Sequence, residues 1–302
     1  MGSRKPKPIK PMTYSASCLQ EVLDIVFYLK DTLETPLWFR GQGVYYDLVP
    51  SVLRHAKPIE DGMGNKWTGF PSLRSSGKIF AFPNQFKMVK EFKKISSHLF
   101  KKKPRNTYEW LCIMQHYGIP TKLLDWTLDP IIALFFATDI EEAEMNRRLR
   151  EEEYGAEFWI LPPVKLNSSS GFKNQNRIFP SNDKYVEAFM DGMGDFTPIA
   201  IEAPKIEERL ILQKGCFTMH GHDIRSLNAM AHYQGGFIYK VEIKADALFK
   251  LKESLMFFGH THDYYYPNDE SKYKPIRNNE IAKFLSAYEN YCEDTSENDF
   301  SY

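Results

Sequence analysis

The stretch QHYGIPTKLLDWTLDPIIALFFA at residues 115–137 contains the end of one helix, a short apolar segment and the start of a second helix. The apolar segment, residues 121–125, is predicted to be a strand or a turn. Asp129 can accept hydrogen bonds from the first free amides of the second helix, and Pro130 suits a first helical position. Because IIALFFA is apolar on every side, we predict that this helix lies at the centre of the fold.

Helices are predicted on both sides of this stretch. Apolar residues recur at three- and four-residue spacing at 19–29 and at 84–100, and another helix is predicted at 108–117. The charged continuation at 139–153 is predicted to be an exposed helix, because its opposite charges recur four residues apart.

The second half of the chain is predicted to be mainly strands and loops. Strands are predicted at 157–161, 216–220 and 236–243, helices at 251–259 and 279–291, and loop or irregular structure at 56–77 and 162–198. Helices mainly in the first half and strands in the second predict an α+β fold, with the helices packed on a mixed or antiparallel sheet. We expect one domain at 13–288, between a disordered lead at 1–12 and an acidic tail at 289–302.

Composition excludes several classes of protein. Lys and Arg number 39, as do Asp and Glu, which excludes a chain that binds nucleic acid through its overall charge. Only residues 87–105 are strongly basic, and they are either a surface that follows a phosphate backbone or a solvated helix face. The four cysteines form no Cys-x-x-Cys pair, so no zinc ribbon is expected, and reduced thiols point to a cytoplasmic protein. No apolar run approaches the roughly 20 residues of a membrane helix, so no membrane partner is expected.

Four segments carry a resemblance to a known family. WFRGQ at 38–42 and the stretch at 115–137 resemble the two signatures of the FRG domain family, and LVPSVLR at 48–54 and RLILQKGCFT at 209–218 fit in order. The resemblance spans roughly residues 17–285. It implies a bacterial or phage-related effector of the defence or toxin type.

The layout is also similar to that of ADP-ribosyltransferases. This similarity implies such a fold, NAD or another nucleotide as the ligand, and an ADP-ribosyltransferase or NAD glycohydrolase activity. The layout departs from the toxin-type enzymes because Glu207-Glu208-Arg209 places Arg209 where their catalytic Glu stands, and because no Ser-Thr-Ser triplet is present. RNA 2′-phosphotransferases of the same fold class use basic residues there. If residues 208–215 instead form a helix, with Arg209 and Gln213 one turn apart, this alignment fails.

The resemblance implies a set of site residues. The predicted catalytic residues are Arg40, Asp125, Thr127, Glu208, Arg209 and Gln213, with Glu242 as a rival to Glu208. The predicted ligand contacts are Arg40, Gln42, His116, Thr121 and Trp126. Thr127 and Asp125 would replace the missing triplet, and His116 is either an acid–base group or a ring packed under Trp126.

Arg40 and Asp125 have two interpretations each. Arg40 is expected to hold a phosphate or a ribose, which approaches closely because Gly41 leaves room. Alternatively, Arg40 is buried and paired with Asp125. An acid in so apolar a run must be paired or hydrogen-bonded if it is buried. Asp125 is therefore expected to be a site carboxylate, a residue that orients Arg40, or a residue that caps the bend before Asp129.

Two other functions stay open. The protein is alternatively a non-catalytic module that recognises a phage protein, a nucleic acid or a nucleotide signal. A third hypothesis is a metal-dependent hydrolase, because on a strand His220 and His222, or His260 and His262, would share one face. For the enzyme, a nucleic acid or protein acceptor and an antitoxin or other regulatory protein are the expected partners.

Overall fold

The computed structural model describes residues 12–54, 57–58, 80–81, 85–100, 103–151, 154–169, 176–190, 197–206, 208–221, 225–233 and 237–266. Its strands are β1 (Met12–Ala16), β2 (Trp38–Gln42), β3 (Lys57–Pro58), β4 (Phe80–Ala81), β5 (Leu123–Thr127), β6 (Tyr154–Leu161), β7 (Ile199–Glu202), β8 (Gly215–Met219) and β9 (Tyr239–Lys244). Its helices are α1 (Leu19–Leu33), α2 (Ser51–Arg54), α3 (Gln85–Ser96), α4 (Thr107–His116), α5 (Pro130–Thr138), α6 (Glu142–Arg150), α7 (Pro163–Ser169), α8 (Lys184–Ala188), α9 (Glu208–Leu212), α10 (Leu227–Tyr233), α11 (Ala245–Phe257) and α12 (His262–Tyr265). A 3-10 turn at Ser97–Leu99 follows α3.

Seven of these strands form one mixed sheet in the order β1-β9-β6-β2-β5-β8-β7. The β1–β9 pair is parallel, and the other pairs are antiparallel. The predicted α+β class with a mixed sheet is confirmed. The sheet draws three strands from the first half of the chain, and α7 and α8 occupy part of the segment at 162–198 that was predicted to be irregular.

Helices cover the sheet in separate groups. On one face, α1, α5 and α11 pack against β2, β6 and β9, while α3, α4 and α8 pack against β5, β7 and β8. On the other face, α7 and α10 pack against a cluster that contains Trp38, Trp126 and Trp159. The two helix groups on the first face thus meet over the centre of the sheet, where β2 and β5 are neighbours.

The central position predicted for α5 is confirmed. Asp129 caps the helix by accepting a 2.9 Å hydrogen bond from the Ile131 amide, and Pro130 occupies the first turn. The helix lies directly on β2 at Gly41. A Cβ built there would stand 1.7 Å from the carbonyl oxygen of Ala133. The expectation that this glycine makes room for a ligand is wrong, because the α5 backbone fills the space.

The sheet is weakly joined between β2 and β5. Their antiparallel register contains the single pair Phe39–Thr127. Beyond it, the carbonyl of Asp125 accepts a 2.8 Å hydrogen bond from Arg40 Nη1, which takes the place of a backbone donor. A side chain of the WFRGQ motif therefore bridges the two strands.

Some expectations differ at the edges of the fold or lie outside it. Met12, placed in the disordered lead, begins β1. The remainder of the lead, most of the loop at 56–77, the helix at 279–291 and the acidic tail lie outside the described residues. Among the helices that the structure describes, none has the length and apolar character needed to cross a bilayer.

Candidate functional site

A cavity of about 370 Å³ opens between the two helix groups, over β2, β5 and β8. Seven of the predicted site residues line it: Arg40, His116, Asp125, Trp126, Thr127, Arg209 and Gln213. Gln42, Thr121 and Glu208 are not among its lining residues. The fold thus gathers residues from four separate segments of the chain around one space, and their catalytic and binding roles stay predictions.

Arg40 is mostly buried and held in one orientation. Its side chain is 18% exposed, and its Nε donates to Gln42 Oε1 at 3.2 Å while Nη1 donates to the Asp125 carbonyl. The Asp125 carboxylate lies 4.0 Å from Nη1, at the limit of an ion pair. Burial lowers the pKa of Arg40. The positive charge of Arg54 lowers this pKa further, whereas the negative charge of Asp125 raises it. Arg40 therefore combines the expected pairing with a place in the cavity wall.

Asp125 presents its carboxylate to the cavity. It lies within β5 rather than in a turn, and its side chain is 62% exposed. Gln115 Nε2 donates to Asp125 Oδ1 at 2.7 Å, and Gln115 Oε1 accepts in turn from the Thr121 hydroxyl. Thr121 is fully buried, and its hydroxyl contacts Gln115 rather than the cavity. Gln115 is a lining residue that sequence reasoning missed.

Gln42 extends the polar network away from the cavity. Its Nε2 donates to Glu157 Oε2 at 2.9 Å, and the Trp159 indole donates to the same oxygen at 3.0 Å. Lys240 lies 3.5 Å from the other oxygen of Glu157. Burial raises the pKa of Glu157, although these donors and the ammonium act against the rise. The position of Glu157 at the start of the apolar strand EFWIL could have predicted a buried acid, but sequence reasoning did not use this signal.

The segment at 208–212 is helix α9, so the alignment with the Glu-x-Glu pair of the toxin-type transferases fails. Arg209 and Gln213 line the cavity, whereas Glu208 is exposed outside it, and Glu207 lies outside the described residues. The Thr127 hydroxyl donates to the Gln213 carbonyl at 2.8 Å and joins β5 to the end of α9.

Neither proposed late carboxylate lines the cavity. Glu208 is outside it, and Glu242 forms a 2.6 Å ion pair with Lys240 on β9. Among the described residues that line the cavity, Asp125 is the one acid.

Aromatic rings form much of the remaining wall. Phe39, Phe136, Phe217 and Tyr266 line the cavity. The ring of Trp126, predicted to contact the ligand, instead packs in the cluster on the opposite face of the sheet, where its indole donates to the Thr218 hydroxyl at 3.1 Å. The Arg209 guanidinium lies 4.4 Å from the centre of the Tyr266 ring. Burial raises the pKa of Tyr266, and the adjacent Arg209 opposes this rise. Tyr266 belongs to the HDYYY segment after α11, which no sequence signal connected with the site.

The contacts and burial of two further groups of the cavity wall, the His116 ring and the Cys112 thiol, bear on whether they can act as a base and a nucleophile. The His116 ring packs edge-on against Tyr117, with centroids 5.0 Å apart. Burial raises the pKa of the Cys112 thiol far above its ordinary value, so this group is protonated at neutral pH and is not a thiolate nucleophile.

The histidine pairs do not form a metal centre within the described part of the chain. His260 Nδ1 lies 2.6 Å from the Tyr265 hydroxyl, and His262 Nδ1 lies 3.2 Å from the Asp139 carboxylate. His220 is buried at the end of β8, and His222 lies outside the described residues. No group of three or more His, Cys, Asp or Glu residues among those described is arranged to hold a metal ion.

Comparison with known proteins gives one match. Residues 35–146 match the family profile described as the FRG domain. The match includes WFRGQ and the stretch at 115–137. It is narrower than the resemblance at 17–285, because it begins after α1 and ends before α9. No curated protein matches the chain, and no solved structure does. The matched segment contributes Arg40, Gln115 and Asp125 to the cavity, and the chain therefore contains an FRG domain.

Proposed function

We propose that the cavity binds a nucleotide, with NAD the first to test, and that the protein is an ADP-ribosyltransferase-like enzyme. The observation that carries the proposal is the chemistry of the lining. It combines the carboxylate of Asp125, the guanidinium groups of Arg40 and Arg209, and several aromatic rings around about 370 Å³. A ligand with phosphates, a ribose and flat rings would use all three kinds of group.

The two arginines suit the phosphates of such a ligand. The bonds of Arg40 to Gln42 and to the Asp125 carbonyl fix the plane of its guanidinium and leave Nη2 for a ligand oxygen. Arg209 stacks on Tyr266 and makes no ion pair with the described residues. A guanidinium held in place loses little conformational entropy when it binds a phosphate, and its charge-assisted hydrogen bonds are strong.

The aromatic residues suit the ring of a base. Phe136 and Tyr266 meet edge-on with centroids 6.3 Å apart at one side of the cavity. The cavity volume is near the lower end of the range of about 300–1,000 Å³ found for ligand pockets. We therefore expect it to enclose one half of a dinucleotide and to leave the other half at its mouth.

Asp125 is the residue that would act on the reacting sugar. Bound NAD would supply a nicotinamide–ribose bond whose cleavage leaves positive charge on the ribose. The Asp125 carboxylate would stabilise that charge, because Gln115 holds it in position before the reaction begins. His116, also in the wall, is the candidate to accept the proton of the attacking water or acceptor hydroxyl.

The first test measures binding and turnover separately. NAD binding is measured by calorimetry, and nicotinamide release is measured on the same protein. Asp125→Asn keeps an acceptor for Gln115 but removes the charge. We expect it to lower nicotinamide release by about 10²-fold and to change NAD affinity less than about threefold. Arg209→Gln is expected to weaken NAD binding about tenfold, because it loses a charged hydrogen bond to phosphate.

Glu208→Gln is the matched control, because it changes an exposed acid on α9 that does not line the cavity. It should leave both binding and turnover unchanged. No heat of binding and no rise in melting temperature at millimolar NAD would refute the nucleotide proposal for NAD. The acceptor, a regulatory partner and a role in defence or toxicity stay predictions from the resemblance.

The second candidate function is a non-catalytic binding module. The hydrogen bond from Arg40 to the Asp125 carbonyl and the contact with its carboxylate favour this function. Both interactions would also be expected if Arg40 only bridged β2 and β5. NAD binding without nicotinamide release, in wild type and Asp125→Asn alike, would select this function.

A further inference from the structure

A second concave surface lies at the other end of α4. We call it the basic groove. It runs between the end of α3, the segment before α4 and the end of α8, and is lined by Lys93, Lys94, Ser97, Lys103, Pro104, Arg105, Asn106, Thr107, Trp110, Glu187 and Met190. With a volume of about 760 Å³, it is larger than the cavity described above.

The charge of the basic groove is unlike that of the whole chain. Residues 85–105 contain seven Lys and one Arg against the single acid Glu91, whereas the chain carries no net charge. Four of these cations line the groove, and Glu187 is the acid that faces them there. Concentrating positive charge in one concave surface of a neutral protein raises the local potential for a polyanion.

The cations are held in different ways. Arg105 donates from Nε and Nη2 to the buried carboxylate of Glu109, at 2.9 and 2.7 Å, and Lys94 pairs with Glu91 at 2.6 Å. Lys93 lies over the ring of Trp110 at 5.9 Å. Within the described residues, neither Lys93 nor Lys103 has a carboxylate at ion-pair distance. The ammonium groups of Lys93 and Lys103 are therefore available to form ion pairs with a ligand.

The aromatic floor indicates which part of a polyanion the groove can contact. Trp110 is 6% exposed and packs edge-on against Phe92 and Phe100, with centroids 6.0 and 5.8 Å apart. Its ring is therefore not free to stack on a base. A surface of cations without an exposed ring contacts phosphates and does not distinguish bases.

We infer that the basic groove binds the phosphodiester backbone of a nucleic acid without sequence preference. The groove contacts Thr107 and Trp110 at the start of α4, while the cavity contacts Gln115 and His116 at its end. A ten-residue helix is about 15 Å long, so a bound nucleic acid would pass within reach of the cavity mouth. The inference does not depend on NAD being the ligand of the cavity.

The test is fluorescence anisotropy of labelled 20-nucleotide single strands and duplexes of unrelated sequence with the full chain. With up to four phosphates neutralised, affinity should fall by about 10²-fold between 50 and 200 mM salt. Lys93→Gln with Lys103→Gln removes the two unpaired charges, keeps long side chains and leaves the Arg105–Glu109 pair intact. We expect this double variant to weaken binding at least about tenfold at 50 mM salt.

Lys30→Gln with Lys250→Gln is the matched control, because both are exposed lysines on helices away from the groove. It should bind as wild type does. Equal binding by the groove variant and the control, with melting temperatures unchanged, would overturn the inference. So would binding to vesicles of anionic phospholipid with none to either oligonucleotide. Unchanged oligonucleotide binding in Arg209→Gln would show that the groove acts separately from the cavity.

Discussion

Replacing Gly41 by alanine tests why the WFRGQ motif contains a glycine. The structure places the backbone of α5 directly over this position. A Cβ at residue 41 would lie 1.7 Å from the Ala133 carbonyl oxygen and 2.6 Å from the Ala137 amide nitrogen, whereas ordinary contact begins at 3.4 Å. The obstacle is helix backbone, so no side chain can rotate away, and α5 would have to move by more than 1 Å.

The expected cost follows from this geometry. Overfilling a packed core costs about 1–3 kcal/mol, and we expect the upper end because the central helix of the fold must shift. A loss of about 3 kcal/mol corresponds to a fall in melting temperature of roughly 6 °C or more for a domain of this size. Urea unfolding followed by tryptophan fluorescence measures the free energy of unfolding directly.

Gly215→Ala is the control for this prediction. Its new Cβ would meet Leu210 Cδ1 at 2.6 Å, the far end of a side chain that can rotate, so we expect a cost below about 1 kcal/mol. A Gly41→Ala protein within about 0.5 kcal/mol of wild type would refute the packing argument. If such a stable variant also lost NAD binding, the glycine would serve the approach of the ligand instead.

Three further predictions concern stability. Asp129→Ala should cost about 1 kcal/mol because it removes the N-cap of α5, while Asp129→Asn, which still caps, should cost a few tenths; chemical unfolding compares them. Burial raises the pKa of Glu157, so the folded state holds this proton longer and stability falls as pH rises above the ordinary value of 4.5; Glu157→Gln should flatten that slope in unfolding curves taken at several pH values. Arg148→Met should cost about 3 kcal/mol because it leaves two backbone carbonyls without their donor, whereas Arg147→Met on the same helix should stay within about 0.5 kcal/mol of wild type.

Local patterns predicted an individual helix or strand well where its residues favour a single structural position, such as a helix cap or a buried core. Asp129 and Pro130 marked the start of α5, and its uniform apolarity marked it as central. The segment at 162–198 was harder, because α7 and α8 are only seven and five residues long and have no long periodic pattern. For the same reason, the sequence of α9 is compatible both with a helix and with the alignment to the Glu-x-Glu pair.

The candidate site was predicted in part. Asp125 was identified because an acid inside an apolar segment needs a partner if it is buried, and Arg40 was identified through the WFRGQ motif and the resemblance. Gln115 and Tyr266 were not connected with the site. A glutamine at the end of a helix and a tyrosine in an aromatic run have many uses, and only their neighbours in space decide among them.

The sequence by itself determined the α+β class, the cap and central position of α5, and the two FRG signatures. Each of these can be inferred from the pattern of residues within a short segment of the chain. The tertiary structure decided which carboxylate faces the cavity and what fills the space beside Gly41. It also decided that Arg40 bridges two strands. These outcomes depend on pairing β2 with β5 and on laying α5 across them, and segments some 85 residues apart in the chain carry no local signal of their contact.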